Sequence, residues 1–345
     1  MAVETPPVRF TKTADGISIA YSVSGEGAPV VFLPIGITHL QFVRRYDRRL
    51  TAWLDELGRR FRLVQYDSRG QGMSQRGLTP DHTMADLELD LEAVLDALKL
   101  QRFILVGYFY SAHVAIRYAV KHPDRVRALV LVSCSVSMAA WPLNSLVLMA
   151  DQNWEAFLHN WVPASFSPVE RDELMSYFKM ARTSSDWVIS ARAFSVSDVA
   201  GELSEVRTPT LVLHPRDFIW LRPAESIKVA SSIHGARFVL LDGILPLGDV
   251  TQAMTAIDNF IADLPPETER RPAASLALAV APDGLTPREV QVLKLIAAGR
   301  SNKEVATELM LSVRTVERHV GSIYDKTGIR GRAGAATYAL TRLGV

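Results

Sequence analysis

Apolar and polar residues along the first 264 positions alternate between short apolar runs and longer stretches with helical spacing. The short runs predict strands at Val8–Phe10, Ile17–Ser22, Val30–Leu33, Arg62–Tyr66, Phe103–Gly107, Ala128–Ser133, Thr210–His214 and Arg237–Leu241. Apolar residues three and four positions apart predict helices at Arg48–Arg59, Thr83–Leu98, Ser111–His122, Pro223–Ile233 and Val250–Ala262. Because helices separate most of the strands, this order predicts an α/β fold with a mostly parallel sheet covered on both faces.

The last 62 residues show a different, purely helical pattern. Thr286 precedes Pro287 and is followed by Glu289, which is typical of a capped helix start, and Gly299 ends that helix. Ser301 begins a second helix in the same way. A third helix begins after a serine cap at Ser312 and buries Val316, Val320 and Ile323, and a fourth runs from Arg332 to about Leu343. The pattern therefore predicts an all-α C-terminal domain.

This segment, 284–345, resembles the helix-turn-helix domain of LuxR/FixJ-type bacterial transcription regulators along its whole length. The resemblance implies that the third helix enters the major groove of double-stranded DNA and reads base edges through Glu317, Arg318 and Gly321. The residues expected to approach phosphates are Ser301, Asn302, Lys303, Arg314, Thr315, His319, Lys326, Arg330 and Arg332. In this family the fourth helix forms a dimer contact, so we expect a homodimer on a two-fold operator.

Glu317 departs from the common pattern of that family, in which many members carry lysine at this position. A carboxylate accepts hydrogen bonds, whereas an ammonium group donates them. The amino group of cytosine is the base-edge donor that a carboxylate accepts from. The operator preference is therefore expected to differ, with cytosine as the candidate base.

Charge is distributed unevenly along the chain, which carries +1 in total. Residues 284–345 contain ten lysines and arginines and five acidic residues, a net charge of +5. The first 283 residues consequently carry −4. A nearly neutral protein with one basic end fits phosphate contact by that end alone.

Three motifs in the first part of the chain resemble landmarks of the α/β-hydrolases. Tyr66–Ser74 resembles the D-x-R-G-x-G-x-S segment, and Leu33–Gly36 occupies the place of the loop that supplies an oxyanion-hole amide. Leu105–Ser111 has the strand, turn and helix order of the G-x-S-x-G nucleophile elbow. The resemblance covers about residues 8–264 and implies an α/β-hydrolase fold with a helical cap at about 135–200.

The catalytic residues of that family do not carry over to this sequence. The resemblance puts Phe109 at the position of the nucleophilic serine and Ile244 at the position of the histidine. Phenylalanine offers no nucleophile and isoleucine offers no base. Either Asp217 or Phe218 occupies the position of the acid. The sequence therefore predicts a pseudo-hydrolase rather than an enzyme, and its scattered histidines indicate no metal site and no cofactor.

The predicted cap is dense in large apolar side chains and contains four of the six tryptophans. Most of these residues are expected to pack cap helices on the sheet. Together with aromatic residues at the elbow, they predict an apolar cavity that binds a small apolar molecule. The residues expected to line this cavity are Ile35, Gly36, Tyr108, Phe109, Tyr110, Trp141, Trp154, Trp187 and Ile244.

The 345 residues suit two domains, 1–264 and 284–345, joined by a linker at 265–283 where prolines and charged residues interrupt the helical pattern. No apolar run of about 18 residues and no basic-then-apolar leader occurs, so we expect neither a membrane span nor a signal peptide. The single cysteine, Cys134, lies in an apolar strand-like run and is expected to be buried. These features favour a cytoplasmic protein.

Three functions remain open at this point. The leading hypothesis is a ligand-responsive transcription regulator whose degenerate hydrolase domain binds a small apolar molecule. The second is an active hydrolase that uses an unconventional nucleophile such as Ser111, Ser68 or Tyr110, although no base is visible near any of them. The third is a scaffold in which the first domain binds another protein or forms the dimer. The sequence names neither the ligand, nor the operator, nor the sign of regulation.

Overall fold

The chain divides into two compact units, Met1–Pro265 and Pro266–Val345. The computed structural model describes residues 6–34, 36–141, 143–162, 167–218, 220–244, 247–264, 283, 285–309, 311, 313–329 and 331–343. Of the predicted linker, only Asp283 lies within these residues. None of the helices that they form is long and apolar enough to cross a membrane.

The first unit is built on a sheet of eight described strands. They are β1 (Val8–Lys12), β2 (Ser18–Ser24), β3 (Pro29–Phe32), β4 (Arg62–Tyr66), β5 (Phe103–Tyr108), β6 (Val126–Val132), β7 (Thr210–Pro215) and β8 (Arg237–Leu241), in the spatial order β1-β2-β4-β3-β5-β6-β7-β8. β2 pairs antiparallel with β1 and β4, and all other neighbours are parallel. The predicted mostly parallel sheet is confirmed.

Helices connect the strands and form a cap. Those outside the cap are α1 (Val43–Tyr46), α2 (Arg48–Arg60), α3 (Met84–Ala97), α4 (Tyr110–Lys121), α10 (Pro223–Ser232) and α11 (Val250–Ala262). The cap follows β6 and consists of α5 (Leu143–Gln152), α6 (Trp154–Trp161), α7 (Pro168–Ala181), α8 (Ser184–Ser195) and α9 (Ala200–Leu203). It occupies the interval that the sequence predicted.

The centre of this unit lies around β5 and β6. Every residue of β5 is buried, and so is every residue of β6 except Arg127. Gly107 allows α4 to approach β5 closely, since a Cβ built on it would lie 2.8 Å from both Ala112 Cα and Ala115 Cβ. Cys134 follows β6 and is fully buried, as predicted, and burial raises the pKa of its thiol to about 12.

The loop after β4 is held by a buried arginine that carboxylates surround. Arg69 donates from Nε to Asp90 Oδ1 at 2.7 Å and from one terminal nitrogen to Asp15 Oδ2 at 2.7 Å. Asp86 lies 3.7 Å from the same guanidinium. Because Arg69 is only 6% exposed, these carboxylates offset most of the cost of burying its charge. The D-x-R-G segment thereby ties the β4 loop to α3.

The second unit is helical. It contains α12 (Pro287–Ala297), α13 (Asn302–Glu308), α14 (Val313–Thr327) and α15 (Gly331–Tyr338), with a π-helical turn at Ala339–Leu343. Fully buried side chains of α12, α13 and α14 form its core, among them Val292, Leu293, Val305, Val316 and Ile323. The four predicted helices are confirmed, although the last continues as a π-helical turn from Ala339 onwards.

Glu289 joins two of these helices. Its carboxylate accepts from the Thr286 amide at 2.7 Å, completing the predicted capping box of α12. It also accepts from Ser322 Oγ at 2.6 Å and from Lys326 Nζ at 2.8 Å, both on α14. Burial alone would raise the pKa of Glu289, but the hydrogen bonds from Lys326, Ser322 and Thr286 outweigh it and lower the pKa to about 2.

The contact under Gly107 yields a stability prediction. Gly107→Ala should lower the free energy of unfolding of the first unit by about 2 kcal/mol, because the added methyl overlaps backbone and side-chain atoms of α4. Gly201→Ala is the matched control, since a Cβ at Gly201 meets nothing within 4 Å. Urea denaturation of the full chain measures both variants. Equal stabilities of the G107A and G201A proteins would contradict the packing described for α4.

The Glu289 network yields a pH prediction. Because the pKa of Glu289 is lowered from 4.5 to about 2, its stabilising effect is present above pH 4.5 and is lost as the pH falls towards 2. Glu289→Gln should destabilise the second unit at neutral pH by on the order of 2–3 kcal/mol and flatten its pH dependence in that window. Hydrogen exchange of α14 amides measures this. The exposed Glu308→Gln is the control, and an equal effect of both substitutions would refute the assignment.

Candidate functional site

The elbow between β5 and α4 holds a phenylalanine in a left-handed backbone conformation. Phe109 has φ 54° and ψ −123°, and its amide donates to the Val132 carbonyl at 3.1 Å. This conformation costs a non-glycine residue on the order of 1–3 kcal/mol, and it persists because the strand and the helix fix both ends of the turn. It is the sharp strand-to-helix turn that presents a nucleophile in hydrolases of this kind. Here it presents a benzyl group.

Aromatic rings fill the space around that benzyl group. The Phe109 ring lies 3.8 Å from the Trp141 ring and 6.0 Å from the Phe194 ring, measured between centroids. Tyr110 stacks on Phe194 at 4.5 Å with planes 7° apart, and Phe218 lies 5.9 Å from Trp141. The predicted apolar cavity at the elbow is therefore occupied by side chains of the protein itself.

A small cavity lies elsewhere, beside the loop after β3. It has a volume of about 20 Å³, room for about one water molecule. Its polar lining includes Thr38, His39 and Asp67. Burial raises the pKa of Asp67 to about 6, although hydrogen bonds from the Met73 and Leu40 amides oppose the shift. None of the predicted ligand-binding residues lines this cavity.

The predicted ligand-binding residues fall into separate places. Tyr108, Phe109, Tyr110 and Trp141 are buried at or near the elbow. Trp154 and Trp187 belong instead to an aromatic cluster inside the cap, where Trp187 lies 4.2 Å from Phe157 and 6.3 Å from Trp154. These two tryptophans therefore pack the cap helices on one another.

Three loop residues, Ile35, Gly36 and Ile244, had been expected to line the cavity. Ile244 is 49% exposed, so its assignment to the cavity was wrong: its loop turns the side chain outward. Gly36 lies on the loop after β3, and its carbonyl accepts a hydrogen bond from the cap at 2.8 Å. Ile35 lies outside the described residues.

The side chain of the serine next to the elbow forms hydrogen bonds with the backbone of the turn. The Ser111 hydroxyl donates to the Tyr108 carbonyl at 2.8 Å and accepts from the Tyr108 amide at 3.0 Å. Both partners belong to the turn itself, and Ser111 is only 3% exposed. The hydroxyl therefore braces the first turn of α4, as its position at the helix start suggested.

The two candidates for the acid position, Asp217 and Phe218, differ in exposure. Asp217 is exposed to solvent, whereas Phe218 is 6% exposed and turns its ring towards Trp141 and His214. Phe218 is thus the residue that faces the elbow cluster.

Two buried histidines of the first unit, His113 and His214, have structural partners on both ring nitrogens. His113 on α4 lies 2.8 Å from Ser197 Oγ and 2.9 Å from the Ser135 carbonyl, and burial lowers its pKa to about 4. His214 has Ser226 Oγ at 2.8 Å and the Leu221 carbonyl at 3.0 Å, and burial lowers its pKa as well. Both rings are therefore neutral at pH 7 and have both nitrogens engaged. The described residues contain no group of three or more metal-ligating side chains that could hold an ion.

Sequence reasoning missed Arg182, which reaches the elbow from the cap. This residue follows α7, is 2% exposed, and donates to the Gly36 carbonyl at 2.8 Å. It also donates to the Asp186 carbonyl at 3.2 Å and to Ser190 Oγ. Burial lowers its pKa, while Tyr110 and Asp186 oppose that shift. An arginine directly after a helix usually reads as a solvated charge near the helix C-terminus, so the sequence carried no signal for its burial.

The third helix of the second unit, α14, has a distinct outward face. Arg314, Glu317 and Gly321 are exposed, and Arg318 is partly exposed. Thr315 and His319 are 5% and 7% exposed, which differs from the expectation that both approach phosphates. They lie on the flank of the buried stripe of Val316 and Ile323, where neighbouring helices cover them. The exposed face is therefore narrower than predicted.

The remaining predicted DNA-binding residues lie around the start of α13, the end of α14 and the start of α15. Ser301 caps α13 through the Glu304 amide at 3.3 Å, and the Lys303 side chain is exposed. Arg332 donates to Asn302 Oδ1 at 3.2 Å and is itself exposed. Lys326 is engaged with buried Glu289, so it is less available to phosphates than a free lysine. Arg330 lies outside the described residues.

Comparison with known proteins assigns both units. A family model described as the alpha/beta hydrolase fold matches residues 29–232, which is more than half of the chain. A second model, described as bacterial regulatory proteins of the luxR family, matches residues 283–339.

Individual relatives agree with these matches. The AB hydrolase superfamily protein YisY of Bacillus subtilis (strain 168) is 27% identical over 259 residues, covering 66% of this chain and 92% of YisY. The transcriptional regulatory protein LiaR of the same strain is 42% identical over 57 residues, covering 16% of this chain and 27% of LiaR. The crystal structure of the enol-lactonase from Burkholderia xenovorans LB400 matches with a TM-score of 0.63 at 21% identity, covering 74% of this chain and 100% of the lactonase, a likeness of fold alone.

The elbow, the cap and the strand order of the first unit agree with the first family model, and the four helices of the second unit agree with the second. The chain belongs to the α/β-hydrolase fold family and carries a C-terminal DNA-binding domain of the bacterial luxR family.

Proposed function

We propose that the hydrolase-fold unit is a non-catalytic sensor, which binds a small molecule and thereby sets the affinity of the luxR-type domain for its operator. The observation that carries this proposal is the benzyl group of Phe109 on an intact elbow turn. The turn keeps the geometry that presents a nucleophile, and the side chain on it has no oxygen, sulfur or nitrogen to attack with.

The surroundings of Phe109 support the absence of catalysis. Ser111, the nearest serine along the chain, is engaged by Tyr108 on both its donor and its acceptor side. The exposed Ile244 stands where the family has its histidine, and Phe218 rather than a carboxylate faces the elbow. Triad chemistry needs a nucleophile, a base within hydrogen-bond reach of it and a group that orients the base. None of the three roles has a side chain suited to it at these positions.

The elbow region supports binding instead. Phe109, Trp141 and Phe194 offer apolar surface, and Tyr110 and Arg182 add polar groups beside it. The enol-lactonase that shares this fold is named for acting on a small lactone. Because rings of the protein fill the elbow region, a ligand would have to displace at least one of them. Such a displacement couples occupancy to the position of the cap.

Sensing requires a difference in affinity between two arrangements of the protein. A ligand that binds both arrangements equally tightly shifts neither, whereas a tenfold preference shifts their ratio tenfold, or about 1.4 kcal/mol. We propose that the arrangement favoured by the ligand differs in operator affinity. The active unit is a homodimer on a two-fold operator, because two recognition helices then read two half-sites.

The elbow predicts the absence of turnover. The purified chain should hydrolyse a panel of small esters and lactones no faster than the heat-inactivated protein. Phe109→Ser should not gain turnover, because Ile244 cannot accept the serine proton. Spectrophotometric assays together with labelling by a fluorophosphonate probe measure this. Sustained turnover by the native chain that disappears on heat inactivation would overturn the proposed sensor.

The exposed face of α14 predicts a change in base preference. Glu317→Lys replaces an acceptor by a donor, so in vitro selection with the variant should replace cytosine by guanine at one position of each half-site. Glu308→Lys makes the same charge change on the exposed end of α13 and should strengthen binding to all sequences without changing the preferred base. An unchanged preferred operator for the E317K protein would show that position 317 does not read a base.

A further inference from the structure

We propose that Arg182 is the anchor for a carboxylate, and that the ligand of the first unit is a small organic acid with an apolar body. This inference rests on the proposed sensor function and names the chemical class of its ligand. It narrows the apolar molecule expected from the sequence to one that carries a negative charge at one end.

The first observation concerns the hydrogen-bond acceptors around Arg182. All its protein acceptors are neutral oxygens: the carbonyls of Gly36 and Asp186, and the hydroxyl of Ser190. Its Nε–H has no acceptor among the described residues. The carboxylate of Asp186 is engaged elsewhere, where it accepts from the amides of Leu78 at 2.7 Å and Gly77 at 3.1 Å. Within the described part of the chain, no carboxylate oxygen lies within 4.0 Å of this guanidinium.

The second observation is the contrast with Arg69, the other deeply buried arginine of the same unit. Arg69 is 6% exposed and has carboxylate oxygens of Asp90 and Asp15 at 2.7 Å and of Asp86 at 3.7 Å. Arg182 is more deeply buried, at 2% exposed, and forms no ion pair within 4.0 Å among the described residues; the Asp186 carboxylate acts on it only from farther away. A buried charge without a hydrogen-bonded partner of opposite sign is costly, and ordinary packing would favour an apolar residue at such a position. An acidic ligand supplies the missing partner.

The third observation is where Arg182 lies. It contacts Gly36, on the loop after β3, and its guanidinium interacts electrostatically with Tyr110, the residue that follows the elbow. Tyr110 in turn stacks on Phe194, whose ring is 6.0 Å from that of Phe109. One end of the elbow region is therefore cationic and hydrogen-bonding, and the remainder is aromatic. An acid with a ring or short chain matches this division.

The chemistry of arginine suits the assignment. Its planar guanidinium presents N–H groups in a fork that matches the two oxygens of a carboxylate, and hydrogen bonds between charged groups are stronger than those between neutral ones. A carboxylate at Arg182 would take the place of the Gly36 carbonyl as acceptor and would use the Nε–H as well. An ester of the same acid keeps the apolar body and loses the charge, so it should bind at least about tenfold more weakly.

The same contact explains how an acid would be sensed. The end of α7 is joined to the loops after β3 and β4 by Arg182 on the Gly36 carbonyl, by the Gly72 amide on the Ala181 carbonyl at 2.7 Å, and by Arg76 on the Met180 carbonyl. All three bonds involve consecutive residues at the end of α7. An acid that draws Arg182 away from Gly36 removes one of these bonds and biases the position of the cap.

Matched pairs of acids and methyl esters test the inference on the full chain. The probes are phenylacetate, 3-phenylpropionate, cinnamate and 4-phenylbutyrate, each beside its methyl ester, with thermal unfolding and calorimetry as readouts. At least one acid should stabilise the protein, with an affinity about tenfold or more above that of its ester. Equal affinities of acid and ester, or binding by none of the acids, would overturn the carboxylate assignment.

Two variants locate the effect. Arg182→Met should lower the affinity for the acid to that for the ester, whereas Arg192→Met, which removes an exposed arginine of α8, should leave the preference intact. An R182M protein that keeps the native preference would place the anion elsewhere and overturn the inference. The comparison of acid and ester on the native chain decides the question even if the R182M protein does not fold. Ester binding without acid preference leaves the sensor standing, and ester hydrolysis at enzyme speed overturns the sensor instead.

Discussion

The sharp turn between β5 and α4 is the constraint on which the first unit depends. Because α4 lies close to Gly107, the chain has no room to leave the strand gradually, and position 109 takes a left-handed conformation whatever side chain it carries. The turn therefore keeps its geometry even when its side chain is not a nucleophile, and the side chain at position 109 sets what the unit can do. A phenylalanine there joins Trp141 and Phe194 in one aromatic cluster, so the centre of the fold is packed rather than open.

Much of the fold was predictable because its signals are local and repeated. Buried strands such as β5 and β6 appear in the sequence as continuous apolar runs. Capping boxes indicate where helices begin, as Thr286 with Glu289 does for α12 and Ser301 with Glu304 for α13. The position of Phe109 followed from a motif whose geometry the protein keeps. These features depend on neighbours in sequence, so the sequence suffices to find them.

The site itself was predicted only in part, since it depends on which loop or helix flank ends up covered. A single isoleucine at 244 does not reveal that its loop points outward, and Thr315 and His319 are covered by helices that pack from elsewhere in the unit. Arg182 is the opposite case: a charged residue at a helix end reads as solvated, and only the approach of the Gly36 loop buries it. Packing between residues far apart in the sequence decides the exposure of each of these side chains. A local sequence pattern does not show that packing.

The bond between Lys326 and Glu289 affects how strongly DNA binding by the second unit depends on salt concentration. A lysine bound to a buried carboxylate is less available to neutralise a phosphate, and it is the neutralised phosphates that release condensed cations when the complex forms. The number of ions exchanged on association will therefore be smaller than a simple tally of basic side chains implies. The complex will tolerate rising ionic strength correspondingly better than its formal charge indicates.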